Sequence, residues 1–156
     1  MKREKGFTLI ELLAVIIILS VIMVIAVPKV LDVINKSKEG AFIDSAYGIS
    51  DSVKYYYFQN NMTGNYNFEF ENGKLKNNEE LKYKGNSPDS GNLVINSDGK
   101  IKLAFYSDSL NLCIKKEFND KKIKKVTGVT KDKCNTNMVN EGSTWFWVNI
   151  NDENEL

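Results

Sequence analysis

Residues 7–27, FTLIELLAVIIILSVIMVIAV, are interrupted by polar side chains only at Thr8, Glu11 and Ser20. As a helix this stretch is about 30 Å long, the thickness of a bilayer's hydrocarbon core. A secretory signal has an apolar run of about 7–15 residues followed by a small-residue cleavage site. This run is longer, and Ala26-Val27 passes into Pro28-Lys29 with no such site. A buried core helix is the competing reading, but a domain of 156 residues rarely surrounds such a helix completely. MKREKG precedes the run, with Lys2, Arg3 and Lys5 against Glu4. The positive-inside rule keeps that end cytoplasmic and places the chain beyond residue 28 outside.

The rest of the composition excludes much chemistry. The chain has no histidine and two cysteines. It therefore builds no Ser-His-Asp triad, no Cys–His dyad and no His-bearing or four-ligand zinc site. Scattered Asp and Glu residues offer no general acid–base constellation, so the expectation is a non-enzyme with no cofactor and no metal. Hydrophobic content of 42% and charged content of 26% fit a folded chain. Of the 21 basic residues only Arg3 is arginine, and asparagine is abundant, a bias expected of a genome low in G+C.

A carboxylate inside an apolar helix is costly, about 2.5–3.5 kcal/mol at the membrane centre and less near an end, and it calls for a partner. For Glu11 the candidates are Lys5 or, after a cut before Phe7, a free amine. Pro28 removes a backbone hydrogen bond and crowds the preceding turn, which predicts a kink or local opening near residues 24–28.

A basic leader ending in Gly6, then Phe7-Thr8-Leu9-Ile10-Glu11-Leu12-Leu13, an apolar helix and Pro28 resemble a type IV prepilin. The motif covers residues 1–28, and the helical pattern extends the likeness to about residue 60. The resemblance implies cleavage between Gly6 and Phe7 by a prepilin peptidase, which also methylates the Phe7 amine. It implies that Glu11 pairs with the Phe7 amine of an adjacent subunit during assembly. The implied partners are further copies of the chain in a helical homopolymer, the assembly platform and its ATPase, and the membrane before assembly. The precursor then sits in the cytoplasmic membrane with its head outside, and the assembled form is a surface pilus. A pseudopilin of a type II secretion or DNA-uptake system shares these features. A membrane-tethered adhesin that does not polymerise is the third reading, though a simple tether has no need of Glu11.

The expected organisation is a leader at 1–6, an assembly half of the helix at 7–28, an amphipathic half at 29–60 and a β-rich head at 61–156. At 100° per residue Val30, Ile34, Ala41, Phe42, Ile49, Val53 and Tyr56 share a stripe. Lys29, Asp32, Lys36, Asp44, Asp51 and Lys54 lie opposite. Asn60-Asn61 and Gly64 mark the stop, giving a helix of about 80 Å. Beyond it the period becomes two. Tyr66–Phe70, the Asn72-Gly73 turn and Lys74–Lys76 read as one hairpin. Leu93–Ile95, Asn96–Gly99 and Lys100–Phe105 read as a second, with Lys84–Asn92 as a loop. Leu110–Phe118 and Thr144–Ile150 are further strands, with Trp145 and Trp147 on one face. One long helix followed by strands predicts an α+β pilin fold, an antiparallel sheet packed on the helix.

Cys113 and Cys134 lie in the portion expected outside the membrane, where disulfides persist, and many pilins carry such a pair. The alternative is two thiols in an anaerobic host. Residues 115–133 hold Lys115, Lys116, Lys121, Lys122, Lys124, Lys125, Lys131 and Lys133 against Glu117, Asp120 and Asp132. An exposed cationic loop of this kind suits DNA, an anionic glycan or an acidic face of a neighbouring subunit, or is simply solvated. Asp152, Glu153 and Glu155 form an acidic tail.

Overall fold

In a computed structural model of the chain, the structure describes residues 6–76, 81–134, 138–141 and 144–147. The chain divides into two compact units, residues 1–37 and 38–156.

Helix α1 runs Leu9–Gln59. In the first unit, every described side chain from Gly6 to Ser37 is exposed, Val30 and Ile34 included. Those two were expected on the apolar stripe facing the head. The buried stripe starts later, at Phe42, and runs through Ser45, Ala46, Ile49, Ser50, Val53 and Tyr57. Ala41 is exposed and Tyr56 half-buried, so the stripe is turned slightly from its expected line. Small polar side chains serve on the buried face because each bonds within the helix. Ser45 Oγ donates to the Ala41 carbonyl at 2.8 Å and Ser50 Oγ to the Ala46 carbonyl at 2.7 Å. Gly48 has a packing reason: a Cβ there would stand 2.9 Å from the Lys84 carbonyl oxygen.

The helix ends in a Schellman motif. Asn61 takes a left-handed conformation (φ 50°), its N–H donates to the Phe58 carbonyl at 3.2 Å, and Met62 N–H reaches back to the Tyr57 carbonyl at 3.1 Å. The stop expected at Asn60-Asn61 is where the chain leaves the helix.

The second unit is built on strands β1 (Tyr66–Glu71), β2 (Lys74–Leu75), β3 (Ser90–Ile95), β4 (Ile101–Ser107), β5 (Leu112–Lys116) and β6 (Lys124–Val126). They form one antiparallel sheet in the order β2-β1-β3-β4-β5-β6. Asn72 (φ 52°) and Gly73 (φ 74°) both sit left-handed, the primed hairpin turn expected of Asn-Gly. Register places Phe68 opposite Leu93, Leu93 opposite Leu103, and Phe105 opposite Ile114. These residues share one face and close on Phe42, Ala46, Ile49, Val53 and Tyr57 of α1. Phe70 and Phe105 meet edge to face at 5.3 Å between ring centres. The α+β arrangement, helix on antiparallel sheet, is the expected one.

Several boundaries differ from expectation. β3 begins at Ser90, so Ser90–Asn92 is strand rather than loop, and β4 extends to Ser107. The lysine-rich segment is not a loop: it holds the end of β5, then β6 and the short helix α2 (Lys131–Cys134). Strands β7 (Met138–Glu141) and β8 (Thr144–Trp147) pair as a separate antiparallel hairpin. The expected strand at Thr144–Ile150 is described only to Trp147. The leader residues 1–5, the side chains of Trp145 and Trp147 and the acidic tail lie outside what is described.

Candidate functional site

The N-terminal turn of α1 gathers the residues that the sequence singles out. Thr8 precedes the first helical residue and caps it. Its N–H donates to Glu11 Oε2 at 2.8 Å, its hydroxyl donates to the same oxygen at 2.7 Å, and Glu11 N–H approaches Thr8 Oγ1 at 3.4 Å. This is a capping box, Thr-x-x-Glu, in which side chains satisfy donors that the helix leaves unpaired. Glu11 was expected to meet an amine, from Lys5 or from Phe7 of an adjacent subunit; the local cap on Thr8 was not expected, although Thr-x-x-Glu is legible in the sequence. Among the described residues Glu11 Oε1 accepts no hydrogen bond, so one carboxylate oxygen is spent locally and the other is open to a group from elsewhere.

Phe7 stands immediately before the cap with its ring 91% exposed. From Leu9 onward the helix shows apolar side chains all around. Ile16, Ile17, Ile18 and Leu19 follow one another about 100° apart around the axis and are all exposed. The most apolar window has a mean hydropathy of 3.1, and the helix is long and apolar enough to cross a membrane. Ser20, the remaining polar interruption, returns its hydroxyl to the Ile17 carbonyl at 2.7 Å and so presents little polarity outward. Removing such a surface from water is worth roughly 25 cal/mol per Å² of apolar area, and nothing within the described chain removes it. The helix passes through Pro28, whose missing N–H leaves the Val24 carbonyl without its helical donor.

Cys113 of β5 and Cys134 of α2 are joined by a disulfide, with Cα atoms 5.7 Å apart. Both sulfurs are buried against Tyr106, with Val126 and Val129 alongside. The bond ties α2 to the outer part of the sheet.

The lysine-rich segment is dispersed by acidic partners. Lys124 pairs with Asp120 at 2.9 Å, Lys131 with Asp108 at 2.7 Å, and Lys125 with Glu39 of α1. The Lys124 hydrogen bond lowers the pKa of Asp120, and the Asp108 hydrogen bond raises that of Lys131. Lys115, in the sheet, has its pKa lowered by burial. Three of the segment's eight lysines, Lys124, Lys125 and Lys131, thus sit on carboxylates, and the charge is spread over β5, β6 and α2 rather than over one loop.

Among the described residues no cluster of three metal-ligating side chains occurs. Residues 1–27 match the family model for the prokaryotic N-terminal methylation motif. No curated protein and no solved structure matches the chain. The first 27 residues are thus a type IV prepilin-like signal, and they take in Gly6, Phe7, Thr8 and Glu11.

Proposed function

We propose that a chain bearing a type IV prepilin-like signal, continued by a helix exposed on every side, is the structural subunit of a type IV pilus. The precursor lies in the cytoplasmic membrane with residues after 28 outside. Prepilin peptidase cuts between Gly6 and Phe7 and methylates the Phe7 amine, which stays cationic. The assembly platform and its ATPase then move the helix from lipid into a bundle of identical helices. Its function is mechanical, serving adhesion, twitching motility or biofilm formation, and not catalytic.

The observation that carries this reading is the conjunction of the matched motif with the exposed apolar side chains that run from Phe7 to Val27 within it. Bilayer and helix bundle are both apolar surroundings, so transfer from one to the other costs little hydrophobic free energy. What distinguishes the bundle is the polar pair. The Phe7 ammonium of one subunit meets the open oxygen of Glu11 in the next. The pair fixes axial register, because a shift of either helix leaves two charges without partners in a medium of low dielectric. A lone tether gains nothing from such a carboxylate.

Electron microscopy of the cell surface, with mass spectrometry of sheared filaments, tests the proposal. Filaments containing this chain as their main component are expected. Its recovery only in the membrane fraction of filament-bearing cells would assign it to a pseudopilus or to a tether.

A further inference from the structure

We propose that a cleft in the second unit, between α1 and the connections flanking β4 and β5, binds the phosphate backbone of single-stranded nucleic acid. Its volume is about 290 Å³. The inference is independent of filament assembly. It also differs from a contact through the linear run 115–133, because the cleft draws its charge from three distant parts of the chain. Lys54 comes from α1, Lys100 from the turn before β4, Lys116 from the end of β5 and Lys121 from the connection to β6.

Four ammonium groups line this recess with one carboxylate, Asp51, which stands 3.7 Å from Lys54. The other contacts are to neutral oxygens. Lys116 Nζ donates to the Ile101 carbonyl at 3.0 Å and the Glu117 carbonyl at 3.3 Å, and Lys100 Nζ to Asn119 Oδ1 at 3.3 Å. Dipoles orient these ammoniums without cancelling their charge. The nearby carboxylates are engaged elsewhere: Glu117 with Lys102 at 2.9 Å and Asp120 with Lys124. Burial, and then the neighbouring Lys54, lower the pKa of Lys116, against a weaker upward pull from Asp120 and Glu117. The recess is short of negative charge, and an anion supplies it.

The chemistry of the donors selects the anion. Ammoniums are point charges approaching from several directions, which suits tetrahedral phosphate oxygens. Two aromatic rings, Tyr47 and Phe118, line the same recess, and the Tyr47 hydroxyl is fixed by accepting the Ile123 N–H at 2.9 Å. Lysines interleaved with rings are the footprint of single-strand binding, where bases stack on side chains and the backbone follows the charge. A duplex keeps its bases stacked inside and has no use for the rings.

The test is fluorescence anisotropy of the detergent-solubilised full chain with a labelled oligothymidine of about 12 nucleotides, titrated between about 50 and about 300 mM KCl. Single strands lose about 0.7 in log–log slope per lysine engaged, so a slope near −3 is expected, falling by about 1.4 in Lys54→Gln/Lys116→Gln. Affinity should fall at least about tenfold in that variant and several-fold in Lys121→Gln, whose exposed side chain makes folding safe. Phe118→Ala should weaken binding at least about fivefold at unchanged slope. Lys124→Gln/Lys125→Gln, outside the cleft, should stay within about twofold of the parent. Equal losses in this control, or no loss in Lys121→Gln, would overturn the site. Equal binding of a duplex, of polyphosphate or of heparin would overturn single-stranded nucleic acid as its occupant.

Discussion

The hydroxyl of Tyr47, on α1, accepts a hydrogen bond at 2.9 Å from the backbone N–H of Ile123, 76 residues further along the chain. Ile123 is buried between lysine pairs, so this bond and the Lys125–Glu39 ion pair pin a charge-rich segment to the helix. Tyr47→Phe removes the acceptor and leaves a buried N–H unpaired. The expected loss is about 1–3 kcal/mol of unfolding free energy. Chemical denaturation of the solubilised chain measures it, and a change within error would show that water replaces the phenol.

Peptide mass spectrometry of purified filaments should find a mature N-terminus at Phe7 carrying one methyl group. A start at any other residue would remove the prepilin reading along with the role given to Glu11.

On the proposed reading Glu11 adds an assembly duty to its observed cap, and two substitutions part the two. Glu11→Ala loses both the capping box and the charge. It should destabilise the first helical turn by about 1 kcal/mol and abolish filaments, while membrane insertion persists. Glu11→Gln keeps an acceptor for the Thr8 N–H and hydroxyl but no charge. Filament yield near zero in both variants, with helix onset preserved in Gln by hydrogen exchange, is the expected pattern. Normal filaments from Glu11→Gln would show that the carboxylate matters only as a cap.

Thiol labelling of intact filaments should leave Cys113 and Cys134 unlabelled until reductant is added. Reduction should cost roughly 3 kcal/mol by loop entropy, and hydrogen exchange should rise mainly between the two cysteines. Complete labelling before reduction would mean that packing against Tyr106 holds α2 unaided.

The parts that were legible in the sequence follow a simple period or a local turn chemistry. The α1 span, the Asn72-Gly73 turn and the Leu93–Phe105 hairpin depend on neighbours within a few residues, and the structure has them where the sequence puts them. β6 was not visible because KKIKKV alternates no apolar face. It is an edge strand with both lysines exposed, recognisable only through its pairing with β5. Lys54 was assigned to solvent by helical angle alone. It is half-buried because the distant segments around Lys100 and Lys121 come to line the same recess, and no helical wheel contains that information. Glu11 shows the opposite failure. A lone carboxylate in an apolar run is conspicuous, while the Thr8-x-x-Glu11 cap is written just as plainly in the same four residues.

The position of the cap has a consequence for processing. Gly6, Phe7 and Thr8 are outside the helix, which begins at Leu9. A protease needs its substrate backbone unwound to reach the scissile carbonyl, and the proposed cut at Gly6–Phe7 falls on the last stretch where the backbone is already so. Every group that starts the helix lies on the product side of that bond. On the proposed reading the leader can therefore be shed without unwinding a turn, and the helix that begins at Leu9 is already complete before the cut.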